Sequence, residues 1–247
     1  MKVERAYERF ENIIYTQNIA DSGDLESATK TITATSEPVT ADYMKSLTIT
    51  APSDPRLEIM RICVRLEVTI DSFAGGGTTL NYRIKRDGTS IGTGTLATGG
   101  STGAKQVCHE VTTGTLTGAA TYEVFLWVDS GSCTISVCRI YVGVGTTNAT
   151  GNFTINCLRL NFKGWVSIGL FGNRIGTGSF MLSIVKNDES GLEYLVVNSS
   201  SSSTPTQYHG TSILLSSGIT NMGIRSMTVA NDLCCITKVM IELSRVR

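Results

Sequence analysis

Residues 61–71, Arg61-Ile62-Cys63-Val64-Arg65-Leu66-Glu67-Val68-Thr69-Ile70-Asp71, decide the fold class. Ile62, Val64, Leu66, Val68 and Ile70 point one way at period two, while Arg61, Arg65, Glu67, Thr69 and Asp71 point the other. Alternation over that length makes a strand with one buried and one wet face, the pattern of an antiparallel sheet. Leu80, Tyr82 and Ile84 repeat it, and Asp87-Gly88 supplies a hairpin turn into residues 89–91. Further on, Tyr122, Val124, Leu126 and Val128 alternate with Glu123, Phe125, Trp127 and Asp129, so both faces of this strand carry large apolar groups. Ser130-Gly131-Ser132 turns the chain into a strand over residues 133–144, and the Gly/Thr/Asn stretch 145–151 reads as a domain linker.

The second half repeats the first. At an offset of 101 residues, Val128, Cys133, Ile135, Ser136, Ile140 and Val142 fall on Val229, Cys234, Ile236, Thr237, Ile241 and Leu243. The same offset carries Leu80, Ile84, Lys85 and Asp87 onto Met181, Val185, Lys186 and Asp188. A shared order at a fixed period is the mark of internal duplication. Each repeat has strands every 8 to 14 residues and turns rich in Gly, Asn and Asp, which suits an antiparallel sandwich of the jelly-roll or immunoglobulin-like kind. No long 3.6-period segment follows Ile14, so a Rossmann or helical-bundle architecture is excluded.

Upstream, Val3, Tyr7, Phe10 and Ile14 fall at helical spacing opposite Glu4, Arg5, Glu8, Arg9 and Glu11, which predicts a short amphipathic helix. Residues 17–42 are polar, Thr-rich and aperiodic, with Pro38 among them, and read as an extended arm. A helix of about three turns is marginal alone and needs a surface to dock on. The expected organisation is therefore all-β: a helix and arm over residues 1–44, one sandwich over 45–147 and a second over 151–247.

Composition narrows the function. The 247 residues include 21 Lys+Arg, 21 Asp+Glu, 33 Thr, 25 Ser and 25 Gly, and only 17% are charged. Soluble domains average about 25% charged, so hydroxyl and amide groups must build much of this surface. Balanced charge without a basic block argues against nucleic acid and anionic membranes as partners. No stretch approaches the ~18–20 apolar residues of a membrane span. Lys2, Glu4, Arg5, Glu8 and Arg9 interrupt the first ten residues, so no signal-peptide core is expected and the chain is expected to be made inside the cell.

A search for chemistry finds no catalytic, cofactor-binding or metal-binding set. In Cys108-His109-Glu110, neighbouring strand residues point to opposite faces, so the thiol and imidazole cannot meet, and a buried Cys beside a solvent-facing His is expected. Cys133 and Cys138, five apart, are expected on opposite strand faces, and no zinc spacing results. Cys133 and Cys234 start equivalent strands and read as small core residues. Asp87, Asp129, Asp188 and Asp232 sit in turns, where aspartates cap their own backbone. Phe125 and Trp127, with Trp165 at a strand start in the second repeat, would offer a stacking face for sugars if exposed; a covered or centrally buried strand would remove it.

The strand at 61–71 and the Cys133/Cys234 repeat, set in an uncharged two-sandwich chain, resemble the tandem jelly-roll structural proteins of icosahedral viruses. The likeness is to the minor capsid, penton or turret components of viruses of thermophilic archaea. It implies a non-enzymatic virion or surface-assembly subunit that forms homo-oligomers, such as a pentameric ring, and meets other virion proteins. Val3, Tyr7, Phe10 and Ile14 would make the contacts between subunits. The alternative is a carbohydrate-binding or adhesin module that uses Phe125, Trp127 or Trp165 on a glycan receptor.

Overall fold

The protein is described by a computed structural model. It describes residues 12–18, 20–23, 25, 27–39, 44–51, 54–112, 118–147, 155–161, 164–175, 180–186, 192–197, 208–215, 220–226 and 233–244, with side-chain packing mainly in the first half. The described elements are all strands. An N-terminal set comprises β1 (Asn12–Asn18), β2 (Ala20–Asp21) and β3 (Lys30–Ile32). The first half continues with β4 (Lys45–Thr50), β5 (Leu57–Ile59), β6 (Arg61–Ala74), β7 (Thr79–Arg86), β8 (Thr89–Thr98), β9 (Gly103–Thr112), β10 (Ala119–Val128) and β11 (Ser132–Thr147). The second half holds β12 (Ile155–Leu160), β13 (Gly164–Ile175), β14 (Phe180–Lys186), β15 (Leu192–Val197), β16 (Tyr208–Leu215), β17 (Thr220–Ser226) and β18 (Leu233–Ser244).

All of the described pairings are antiparallel. One sheet runs β16-β13-β18-β11-β6-β9, a second β4-β10-β7-β8 and a third β15-β14-β17-β12-β5. The first half contributes β11-β6-β9 and β4-β10-β7-β8; the second contributes β18-β13-β16 and β12-β17-β14-β15. Apart from β5, which pairs with β12 and has no counterpart, the strands counted from β4 and from β12 stand in the same order. Alternation explains the core of the first half. Ile62, Val64, Leu66, Val68 and Ile70 of β6, with Cys133, Ile135, Cys138, Ile140 and Val142 of β11, face Leu80, Tyr82 and Ile84 of β7 and Tyr122, Val124, Leu126 and Val128 of β10. The β7–β8 hairpin turns at Asp87 and Gly88, whose φ values of 48° and 79° are those of a type I′ turn.

Two irregularities correct the sequence reading. The β6–β11 register passes from Thr134↔Ser72 to Ile135↔Ile70 and then to Val137↔Thr69, so each strand carries one extra residue, Asp71 and Ser136. Ser136 Oγ donates to Asp71 Oδ1 at 2.7 Å across the paired bulges. A bulge reverses which residues face inward. Cys133 and Cys138, expected on opposite faces, are thus both buried in the core. In the second half, Phe171↔Lys238 is followed by Gly172↔Ile236, so β18 carries its extra residue at Thr237, 101 residues after Ser136.

The N-terminal expectations are corrected too. Residues 12–14, including Ile14, belong to β1, which pairs with β18 from Asn12↔Leu243 to Asn18↔Lys238. The run Ile13-Ile14-Tyr15-Thr16 is β-branched and aromatic, and β18 offers it an unpaired edge, which outweighs a short helical periodicity. Val3, Tyr7 and Phe10 lie outside the described residues. Two described pieces of the expected arm are strands: β2 pairs Asp21↔Tyr141, and β3 pairs Ile32↔Cys133, both on β11. Of the expected linker, Gly145–Thr147 ends β11 and pairs with Cys235, Cys234 and Leu233 of β18.

A turn substitution and a core substitution should affect stability differently. Gly131 turns β10 into β11 at φ +64°, and a Cβ there would run into the Ala74 carbonyl oxygen. Gly131→Ala should cost about 1–3 kcal/mol, read from urea unfolding. The Tyr122 hydroxyl is buried with no hydrogen-bond partner among the described residues, and burial pushes its pKa up to about 12. Tyr122→Phe should therefore leave the midpoint unchanged or raise stability by about 1 kcal/mol; a clear loss would mean that the hydroxyl is satisfied.

Candidate functional site

The outer face of β10-β7 is the most chemically varied surface described. In register, Phe125 lies opposite Arg83, Trp127 opposite Asn81 and Glu123 opposite Lys85. Phe125 points away from the core yet is fully buried, while Trp127 is half-buried. Lys85 Nζ stands 4.3 Å from the centre of the Phe125 ring. The chain after β3 passes this face: Ala34 O accepts from Val128 N at 2.9 Å, and the Glu37 carboxylate binds Arg83 Nη1 at 2.6 Å and Lys85 Nζ at 3.0 Å. Of the residues expected to stack on sugars if exposed, Phe125 is covered and Trp127 is half-buried. Trp165 opens β13, in register with Leu214 and Ser244, and its side chain lies outside the described residues.

A second cluster lies where β8 and β9 meet. His109 is in register with the core residue Val64, so it faces the interior side of β9, not solvent as the sequence suggested. Its Nε2 and the Tyr82 hydroxyl hydrogen bond at 2.8 Å, with the tautomer setting which donates. Two glycines of β8 clear space for the rings: a Cβ at Gly92 would sit 2.5 Å from the imidazole, and one at Gly94 would sit 3.1 Å from the Tyr82 ring. Cys108 is in register with Arg65 on the alternate row, so strand geometry separates it from His109. A third feature is a cleft of about 570 Å³ between the arm and β4, where Lys30, Lys45, Ser22 and Ser46 surround Leu25 and Met44.

Elsewhere the polar groups serve the fold. Asp87 Oδ1 accepts from Thr121 N at 2.8 Å and Asp129 Oδ1 from Thr79 N at 2.6 Å, which holds the Asp129 carboxyl below its usual range. Burial pushes the Cys133 thiol up to about 11 and the Cys138 thiol up to about 12, so neither is a ready nucleophile at neutral pH. Among the described residues, no group of three or more His, Cys, Asp or Glu side chains is placed to hold a metal ion. No helix of the described residues is long and apolar enough to cross a membrane.

No protein-family model matches the chain, and no curated protein matches it. Among solved structures, it is similar to the tandem CBM22-1-CBM22-2 domain of Paenibacillus barcinonensis Xyn10C (TM-score 0.24, 10% identity, 96% of this chain and 98% of that one). A structure of infectious bursal disease virus Gt strain is also similar (TM-score 0.32, 9% identity, 95% of this chain and 43% of that one), as is PNGF-II (TM-score 0.30, 9% identity, 94% and 66%). Scores of this size decide neither fold nor function, which rest instead on the strand register and side-chain geometry of the chain itself.

Burial of His109 against Gly92 and Tyr82 lowers its pKa from the ordinary value near 6.5. The unfolded chain therefore binds the proton more readily, and stability present above that value is lost as pH falls below about 6.5. Urea unfolding from pH 7.5 to 5 should show this loss, and His109→Gln should reduce it. Equal slopes in both proteins would show that His109 does not contribute.

Proposed function

We propose that this chain is a non-enzymatic structural subunit of a virion or surface assembly, built as two jelly rolls by internal duplication. The observation that carries the reading is the N-terminal segment 12–32, which lies along the free edges of both halves. With β5 left aside, since it pairs with β12, β4 and β6–β11 are seven strands, and β3 and β2, end to end beside β11, fill the eighth place of a jelly roll; β1 takes the corresponding place beside β18. The equal strand order and the extra residues at Ser136 and Thr237 support duplication. One continuous sheet joining both halves makes a stiff tile, and a surface short of charge keeps the cost of burying it between copies low.

In this reading, copies associate as a homo-oligomer, such as a pentameric vertex ring, together with other virion proteins. Val3, Tyr7 and Phe10 make the contacts, while Ile14 anchors their base in β1. The full chain should scatter light as a closed ring or a larger particle, with and without reductant. A 26.5 kDa monomer at every concentration would overturn the reading. Removing residues 1–11 should weaken assembly and leave the fold intact, whereas removing residues 1–32 should destabilise the fold by baring the edges of β11 and β18. Circular dichroism with the same scattering series separates the two effects.

One observation favours a second reading as a carbohydrate-binding module: Trp127 is only half-buried on the outer face that also holds Phe125.

A further inference from the structure

A phenylalanine with no exposure on the outside of a sheet needs a cover, and here the cover is charged. Phe125 lies beneath the Lys85 ammonium, and Lys85 with Arg83 grips the carboxylate of Glu37. Glu123 is the cross-strand neighbour of Lys85, yet the described ion pair of Lys85 is with Glu37, which comes from a different part of the chain. Glu37 reaches Arg83 through Nη1, leaving the buried Nε without an acceptor among the described residues. A guanidinium presents Nε and Nη as a fork that fits both oxygens of one carboxylate, so the tethered carboxylate uses only part of the site. The segment carrying Glu37 buries little of itself and is held by the Ala34–Val128 backbone bond and the Glu37 ion pairs: residues 33–36 are exposed and Val39 is 69% exposed.

We propose that Arg83, Lys85 and Trp127 form a binding site for a uronic-acid-bearing saccharide, which Glu37 keeps closed as a tethered stand-in for the ligand's carboxylate. The inference rests on the carbohydrate reading of this face and names its substrate class. Two cations select a carboxylate, and the Arg83 fork accepts an untethered one in full. Trp127, half-buried on the same face, supplies flat apolar area for the C–H face of a sugar ring, while the Phe125 ring steadies the Lys85 ammonium above it. Beside them Thr95 Oγ1 donates to Asn81 Oδ1 at 3.0 Å, which places an amide and a hydroxyl at the rim for ring hydroxyls. A ligand must displace Glu37, so its apparent affinity is lowered by the fraction of molecules that are open.

Isothermal titration calorimetry on the full chain tests this with a short oligogalacturonate, a neutral cello-oligosaccharide of equal length and an oligoglutamate peptide. Glu37→Gln should bind oligogalacturonate about tenfold or more tightly than the wild type, because the closed state is no longer favoured. Arg83→Gln added to it should abolish binding, and Arg83→Lys, which keeps the charge without the fork, should weaken it. No binding by folded Glu37→Gln, or binding unchanged by Arg83→Gln, overturns the proposal. Equal affinity for the neutral oligosaccharide would keep the carbohydrate reading and overturn the carboxylate site. Equal affinity for the peptide would overturn the saccharide. Should Glu37→Gln fail to fold, wild type at raised ligand concentration decides: saturable binding removed by Arg83→Gln sustains the site, and its absence overturns it.

Discussion

The backbone hydrogen bonding of β11 is the constraint on which the rest of the molecule depends. This strand is 16 residues long and pairs with β6 along one edge from Ser132 to Val144. Its other edge is taken in turn by β3, β2 and β18. Buried peptide groups must be paired, and an open edge invites the wrong partner, so a strand of this length forces the chain to supply cover from elsewhere. Residues 12–32 meet that need. The same segment that caps β18 as β1 passes on to cap β11 as β2 and β3, and so the two halves are coupled through backbone as well as through the end of β11.

Much of this was legible where one face is wet. Residues 61–71 announced β6 because Arg65, Glu67 and Thr69 alternate with fully buried aliphatics, and Asp87-Gly88 announced its turn because few residues tolerate positive φ. Likeness between the halves is faint in sequence, since Val, Ile and Thr recur in any β protein; the extra residues at Ser136 and Thr237 are properties of hydrogen-bond register, not of composition. For the same reason the Cys133/Cys138 relation was misread. Strict period two is broken by two bulges that no residue pattern marks, although Ser136 and Asp71 find each other across them. His109 was misplaced because its orientation is set by pairing with Val64, a fact of register, and the signal that could have placed it is remote: Gly92 and Gly94 on β8 leave the room its ring and Tyr82 occupy.

The outer face of β10 shows how far a local pattern can go. Phe125 and Trp127 alternate with core residues, which told that both faces were apolar without telling what met the second. The second face meets a distant segment, and the contact uses charge: Glu37 neutralises Arg83 and Lys85 while Lys85 rests on the aromatic ring. A cation on a ring is favourable in itself, and more so when partly desolvated. The arrangement thus draws on three separate stretches of the chain, at Glu37, at Arg83 with Lys85, and at Phe125, which no spacing motif can express.

The scarcity of charge elsewhere has a structural counterpart. Outer faces are knitted by uncharged cross-strand pairs: Thr31 with Thr134 at 3.1 Å, Thr48 with Thr121 at 2.9 Å and Thr95 with Asn81 at 3.0 Å, each pair directly opposed in register. Such pairs contribute about 0.2–1 kcal/mol each, comparable to exposed ion pairs. Their difference emerges on burial. Hydroxyls already bonded to each other lose little when water leaves, whereas an exposed ion pair must surrender the hydration of two charges. A face stitched by threonine can therefore be solvent-exposed in one state and covered by a neighbour in another at small cost. On β7, by contrast, Arg83 and Lys85 share the Glu37 carboxylate and Arg86 meets Asp87 at the hairpin turn, so the charge there is paired within the chain.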